Sequence, residues 1–196
     1  MTENLPVVGA AMMNEHLDAH LEWLSADARD LEIQDPFLPY FLDGDNFKTE
    51  VGELKAKLDG YPGRVGIHGP FLDIPIATFD PKIRAVVEDR FKQSLDMCAE
   101  IGATHMVVHS PLRFLGAPNR LDNPKAGPTT YFELTQQTLS NIVPIAESIG
   151  CTLVIENIFD KDPLMLTALV ESFDSPAIRQ SLDVGHAYIA FLQGAA

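Results

Sequence analysis

Leu153-Val154-Ile155-Glu156-Asn157 is an apolar, β-branched run that ends on a carboxylate and an amide. Three other segments have the same form. Val65-Gly66-Ile67-His68-Gly69-Pro70 closes on a histidine, and His105-Met106-Val107-Val108-His109-Ser110 closes on another. Leu182-Asp183-Val184-Gly185-His186 carries an aspartate and a histidine. A parallel sheet presents its chemistry at the carboxyl edge of its strands. Four such endings, separated by helix-like stretches, imply one site collected from successive strands.

The sequence between these segments supplies the helices. A first strand lies within Leu5–Met13, and Leu17, Leu21 and Leu24 recur at helical spacing after Asn14, a good N-cap. Leu31–Gln34 reads as a second strand closed by Asp35-Pro36. Phe47, Val51, Leu54 and Leu58 mark a helix face with Gly60 as its stop. Asp80-Pro81 is a strong helix start, Ile83, Val87 and Phe91 carry the face onward, and Gly102 ends it. A later helix runs to Gly150 with a kink expected at Pro144. Ile178–Leu182 is a sixth strand, followed by a last helix from near Ala187. Such β-α alternation predicts one domain over residues 1–196, a parallel sheet with helices outside it. The stretch Pro111–Gly127 is the longest without regular pattern, and long loops on this side of a sheet are usually functional.

Charge narrows the partners. There are 28 acidic and 14 basic residues, a net charge of −14, which repels polyphosphate and argues against a nucleic-acid partner. No apolar run approaches the ~20 residues of a membrane span. The start, Met1-Thr2-Glu3-Asn4, lacks the basic and apolar features of a secretory signal. Cys98 and Cys151 sit in apolar contexts and read as buried thiols in a reducing compartment. A cytoplasmic protein is expected.

His68, His109, Glu156, Asp183 and His186 form the candidate constellation. Imidazole nitrogen with carboxylate oxygen suits zinc, manganese, cobalt or iron, with magnesium a poorer match where histidine dominates. Glu156, at the end of an apolar run, must be paired or metal-bound if buried. Asp183 and His186 lie on either side of Gly185, a turn that lets both face one pocket. Arg113, Arg120 and Lys125 crowd the long loop and suit a substrate phosphate or carboxylate, against a plain reading as loop charge. Phe71, just past His68, is a candidate apolar wall for a sugar ring. Trp23 reads as core, and His16 and His20 as solvated helix positions.

These motifs resemble the xylose-isomerase-like TIM barrels, which include sugar-phosphate isomerases and epimerases and the endonuclease-IV-type apurinic endonucleases. The likeness rests on His68-Gly69-Pro70-Phe71, Val107-Val108-His109, Val154-Ile155-Glu156-Asn157 and Ser181-Leu182-Asp183-Val184-Gly185-His186-Ala187. In the epimerase branch the resemblance implies Glu156 and Asp183 as metal ligands, Glu156 also as an acid–base group, and His186 on a substrate oxygen. In the endonuclease branch it implies His68, His109 and His186 as zinc ligands as well. The residues fill both patterns, and the charge of −14 leans away from DNA.

The expected fold is therefore an α/β, (β/α)₈ TIM barrel that is incomplete at its C-terminal side. About six strands are present and strands seven and eight are missing, since a whole barrel takes about 250 residues. The sequence reads as a fragment of a longer protein, and open sheet edges would favour a homo-oligomer. The expected function is a divalent-metal-dependent isomerase or epimerase of a small sugar or sugar phosphate, with a Mn, Zn, Co or Mg cofactor. A metal would hold two neighbouring substrate oxygens and stabilise an enediolate. Glu156 and His186 would be catalytic, and Glu156, Asp183 and His109 would ligate the metal. His68, His186, Asn157, Arg113 and Phe71 would bind substrate. A strand-eight carboxylate is expected on the other face of the substrate, so this chain alone would have little epimerase activity. The alternatives are a zinc-dependent, apurinic-endonuclease-like phosphodiesterase and a non-catalytic barrel that binds a sugar or a protein.

Overall fold

The apolar runs become six parallel strands of one sheet. A computed structural model of the chain describes residues 6–112, 120–123, 127–160 and 163–194. Strand β1 (Ala10–Met12) leads into α1 (Asn14–Leu17) and α2 (Leu21–Ala26), and β2 (Leu31–Ile33) leads through two 3₁₀ turns into α3 (Gly44–Lys57). Then come β3 (Val65–His68), α4 (Pro81–Ile101) and β4 (His105–His109). A hairpin of β5 (Arg120–Asn123) and β6 (Gly127–Thr130) precedes α5 (Tyr131–Leu139) and α6 (Val143–Ser148). The remainder is β7 (Thr152–Glu156), α7 (Pro163–Glu171), β8 (Ile178–Ser181) and α8 (Val184–Gly194).

The spatial order is β1-β2-β3-β4-β7-β8, which is also the chain order of the parallel strands. A doubly wound sheet reverses its order at a switch point. This sheet never does, so its strands follow one another as in the wall of a barrel. Among the described residues no seventh or eighth strand joins it, and β1 and β8 are its edges.

Register decides which side chains meet. Ile33, Ile67, Met106, Leu153 and Ile178 are Cα partners in one row across five strands. All five have zero exposure and belong to the same core as Phe91, Leu95 and Met97 of α4. Each such side chain contributes about 1.5–3 kcal/mol of apolar burial. Strand side chains alternate between faces, so Glu32, His68, His109 and Glu156 point away from that core, into the concave face of the sheet.

Capping follows the sequence at α4. The Lys82 N–H donates to Asp80 Oδ1 at 2.8 Å, Pro81 opens the helix, and Gly102 closes it at φ 70°. Asp80→Ala should lower stability by about 1 kcal/mol in urea denaturation, with no change in far-ultraviolet ellipticity at the start.

Elsewhere the structure corrects the reading. The helix expected from Leu17 to Leu24 is two short ones, because the chain turns at Asp18–His20, where the His20 N–H donates to Leu17 O. Pro144 does not kink a long helix but starts a new one. It has no N–H to offer Ser140, so α5 ends at Leu139 and α6 begins with the proline in its first turn. Part of Pro111–Gly127 is the β5–β6 hairpin rather than irregular chain. Helix α8 starts at Val184, not near Ala187, because Asp183 caps it. Trp23 is 45% exposed and carries the Arg29 guanidinium over its ring at 4.2 Å, while Leu24 takes the core position. His16 and His20 are exposed. Cys98 and Cys151 are both buried and free. Among the described residues no helix is long and apolar enough to cross a membrane.

Candidate metal centre

Three side chains from three adjacent strands converge at the carboxyl edge of the sheet. His68 ends β3, His109 ends β4 and Glu156 ends β7, and one donor atom from each lies within 4.8 Å of the others. His109 and Glu156 are register partners, and His68 sits diagonally, opposite Val107. His68 Nε2 is 3.0 Å from His109 Nε2, which is 3.5 Å from Glu156 Oε2.

The hydrogen bonds fix the tautomer of His68. Its Nδ1 lies 2.8 Å from Gly69 O. A carbonyl only accepts, so Nδ1 carries the proton and Nε2 keeps its lone pair toward Glu156 and His109. This is the arrangement by which a backbone carbonyl orients a metal-binding imidazole.

Electrostatics keeps both rings neutral at pH 7. Burial lowers the pKa of His68, against the Gly69 bond that raises it. Burial holds His109 down to about 4, with help from the neighbouring His68 and His186 and against Asp183. A cation arriving near neutral pH therefore has no imidazolium to displace. Burial raises the pKa of Glu156, as does Asp183, while His186 lowers it. Two neutral imidazoles and one half-buried carboxylate fit a divalent cation, and the nitrogen share suits zinc, manganese or cobalt better than magnesium.

The other sequence candidates take different places. Asp183 influences the charge of Glu156 and His109, but it is not in the triad. Its Oδ1 accepts the His186 N–H at 2.6 Å and so caps α8. Asn157 holds the Asp183 backbone from both sides, with its Oδ1 accepting from Asp183 N–H at 2.8 Å and its Nδ2 donating to Asp183 O at 3.0 Å. The His186 ring is 6.4 Å from that of His109. Phe71 lies beside the triad, its ring centroid 4.2 Å from His109 and 5.0 Å from His68, and stacks on Phe37. Arg113 and Lys125 lie outside the described residues, as does the Arg120 side chain.

Two residues that the motifs do not announce join the site. Glu32, on β2, points into the same concave face. Burial raises its pKa to about 7, as does the nearby Glu156 charge, while the Gln34 side-chain bond lowers it. A signal for it exists in the sequence: one charge between two apolar residues of a short strand must face the barrel interior. Asp160 accepts the Ser110 hydroxyl at 2.6 Å and the Ile158 N–H at 2.9 Å, tying the segment after β4 to that after β7.

Glu32 gives a test by pH. Its folded pKa lies above its unfolded value, so its contribution is fully favourable below about 4.5 and is lost as the pH rises through about 7. Glu32→Gln should leave the melting temperature unchanged at pH 4 and raise it at pH 8, by up to about 3 kcal/mol of stability. Paired thermal melts at the two pH values read this directly.

Comparison with known proteins bears on the family and the fold. The family described as xylose isomerase-like TIM barrel matches residues 26–194. An uncharacterised protein of Methanocaldococcus jannaschii is 26% identical over 141 residues, covering 67% of this chain. The chain spans 45% of that relative's length. A Thermus thermophilus protein, solved after soaking with ZnCl₂, has a TM-score of 0.68 at 24% identity, over 93% of this chain and 68% of its own. A D-tagatose 3-epimerase-like protein has a TM-score of 0.68 at 22% identity, over 94% of this chain and 67% of its own.

Proposed function

Because the chain belongs to the xylose isomerase-like TIM barrel family, we propose that it is the metal-binding portion of a divalent-metal-dependent isomerase or epimerase of a small sugar or sugar derivative. The observation that carries the reading is the triad of His68, His109 and Glu156, with donor atoms within 4.8 Å of one another at the carboxyl edge of the sheet. The likeness to a D-tagatose 3-epimerase-like protein supports the substrate class.

When bound, the cation would supply a Lewis acid for two neighbouring oxygens of the substrate. His68 and His109 would hold it through Nε2, with Gly69 O keeping His68 in the required tautomer. Glu156 would complete the triad and move the proton at the carbon beside the substrate carbonyl. His186 would orient a substrate oxygen from the first turn of α8. Asp183 would position His186 through the cap and add negative charge, and Asn157 would hold Asp183 in place. Phe71 would cover the apolar face of the sugar and exclude water.

The test is exchange rather than full turnover. With Mn²⁺ or Co²⁺ added, the chain in D₂O should bind one cation and promote deuterium incorporation beside the carbonyl of a ketose, read by NMR. No cation binding and no exchange with any of a panel of ketoses would contradict the reading. The endonuclease alternative fares worse on charge, because −14 repels a DNA backbone.

A further inference from the structure

A cavity of about 370 Å³ opens beside the metal centre, among the segments that follow β3, β4 and β7. Its wall is mostly carbon: Phe71, Ile74 and Ile76 after β3, Leu112 after β4, and Ile158 and Phe159 after β7. Polar groups enter it from His109, Ser110 and Tyr131. The Ser110 hydroxyl is already given to Asp160. His109 belongs to both the triad and the cavity wall, so the cavity borders the metal centre.

A free sugar carries a hydroxyl on almost every carbon. Each hydroxyl turned against the carbon part of this wall, away from His109, Ser110 and Tyr131, would lose water without gaining a partner, a cost of about 1–3 kcal/mol per group. Ordered water fares no better, since it needs two to four polar partners. The volume lies at the small end of ligand pockets, which run from about 300 to 1,000 Å³. Among the described residues it has room for one ring or a short chain. We propose that this cavity is a subsite for an apolar substituent of the substrate, so that a sugar bearing a short alkyl or aryl group binds more tightly than the free sugar. The inference rests on the reading of the adjoining triad as the place where the polar end binds.

The test uses methyl, hexyl and phenyl β-D-glucosides as probes, titrated calorimetrically into the full chain after Mn²⁺. The Mn²⁺ titration, done first, tests the metal centre separately. The hexyl and phenyl probes should bind at least about 10-fold more tightly than the methyl one, because only they carry apolar surface into the cavity. Ile74→Trp, which fills the cavity from a half-buried position, should bring the three affinities together. Independently of any variant, phenyl protons should show NMR cross-relaxation with the methyl groups of Ile74 and Ile158. Equal affinities for the three probes with Mn²⁺ bound would overturn the subsite and leave the metal reading standing. A preference that survives in Ile74→Trp, with no contact to Ile74 or Ile158, would also overturn it. If Mn²⁺ does not bind, the metal reading fails, and the same series on the metal-free chain still reads the cavity.

Discussion

Glu156→Gln is expected to weaken Mn²⁺ or Zn²⁺ binding by at least about 100-fold, because it removes the anionic donor of the triad. Loss of a mere supporting partner of a metal ligand costs about 10–100-fold, and loss of a ligand costs more. The fold should survive. Burial already penalises the Glu156 carboxylate, and a neutral amide of the same shape lifts that penalty. Calorimetric titration with the cation, alongside a thermal melt, separates the two effects. A variant that melts at or above the wild-type temperature and has lost the cation supports the assignment. A variant that keeps its affinity within about threefold places the cation elsewhere.

Phe91→Ala should have the opposite profile, a large loss of stability with little change in the centre. Phe91 is fully buried on α4 and belongs to the core shared with Ile67, Met106 and Leu153. Truncation removes its transfer energy and leaves a cavity, about 3–5 kcal/mol in all. That is a large share of the stability of an ordinary domain. Urea denaturation would read the loss. At urea concentrations where the variant is still folded, its cation affinity should match the wild type, since α4 packs on the side of the sheet away from His109 and Glu156.

The two substitutions divide the molecule along a line that the strand period draws. Odd and even residues of each strand serve different neighbours. Met106 and Val108 face the helices while His109 faces the site, and the same holds for Leu153 and Ile155 against Glu156. This is why strands and site residues are legible together: an apolar run ending in a polar residue reports both burial and position at the sheet edge. Monotonic strand order is legible too, from the plain alternation of strands and helices.

What is not legible depends on contacts distant in sequence or on single hydrogen bonds. Asn157 follows Glu156 directly and reads as part of the pocket, yet its amide is bound to the Asp183 backbone, 26 residues away. Asp183 reads as a ligand, and nothing in Leu182-Asp183-Val184-Gly185-His186 says that its carboxylate also caps α8. His68 reads as a group that orients substrate. Its place beside His109 follows from the β3–β4 register, which the sequence does not print. Pro144 is recognisable as a disturbance, but whether a proline bends a helix or begins another depends on how the chain leaves the preceding turn. Glu32 is easily passed over because its strand is only three residues long, so its one signal is a single charge between Leu31 and Ile33.

The central claim is that His68, His109 and Glu156 bind one cation together. Anomalous diffraction from crystals of the chain soaked in Zn²⁺ tests it most directly. One strong peak should lie at about 2.0–2.2 Å from both Nε2 atoms and a Glu156 oxygen. A zinc peak that touches none of the three, or a soaked crystal in which His68 Nε2 and His109 Nε2 still face each other with no density between them, would contradict the account.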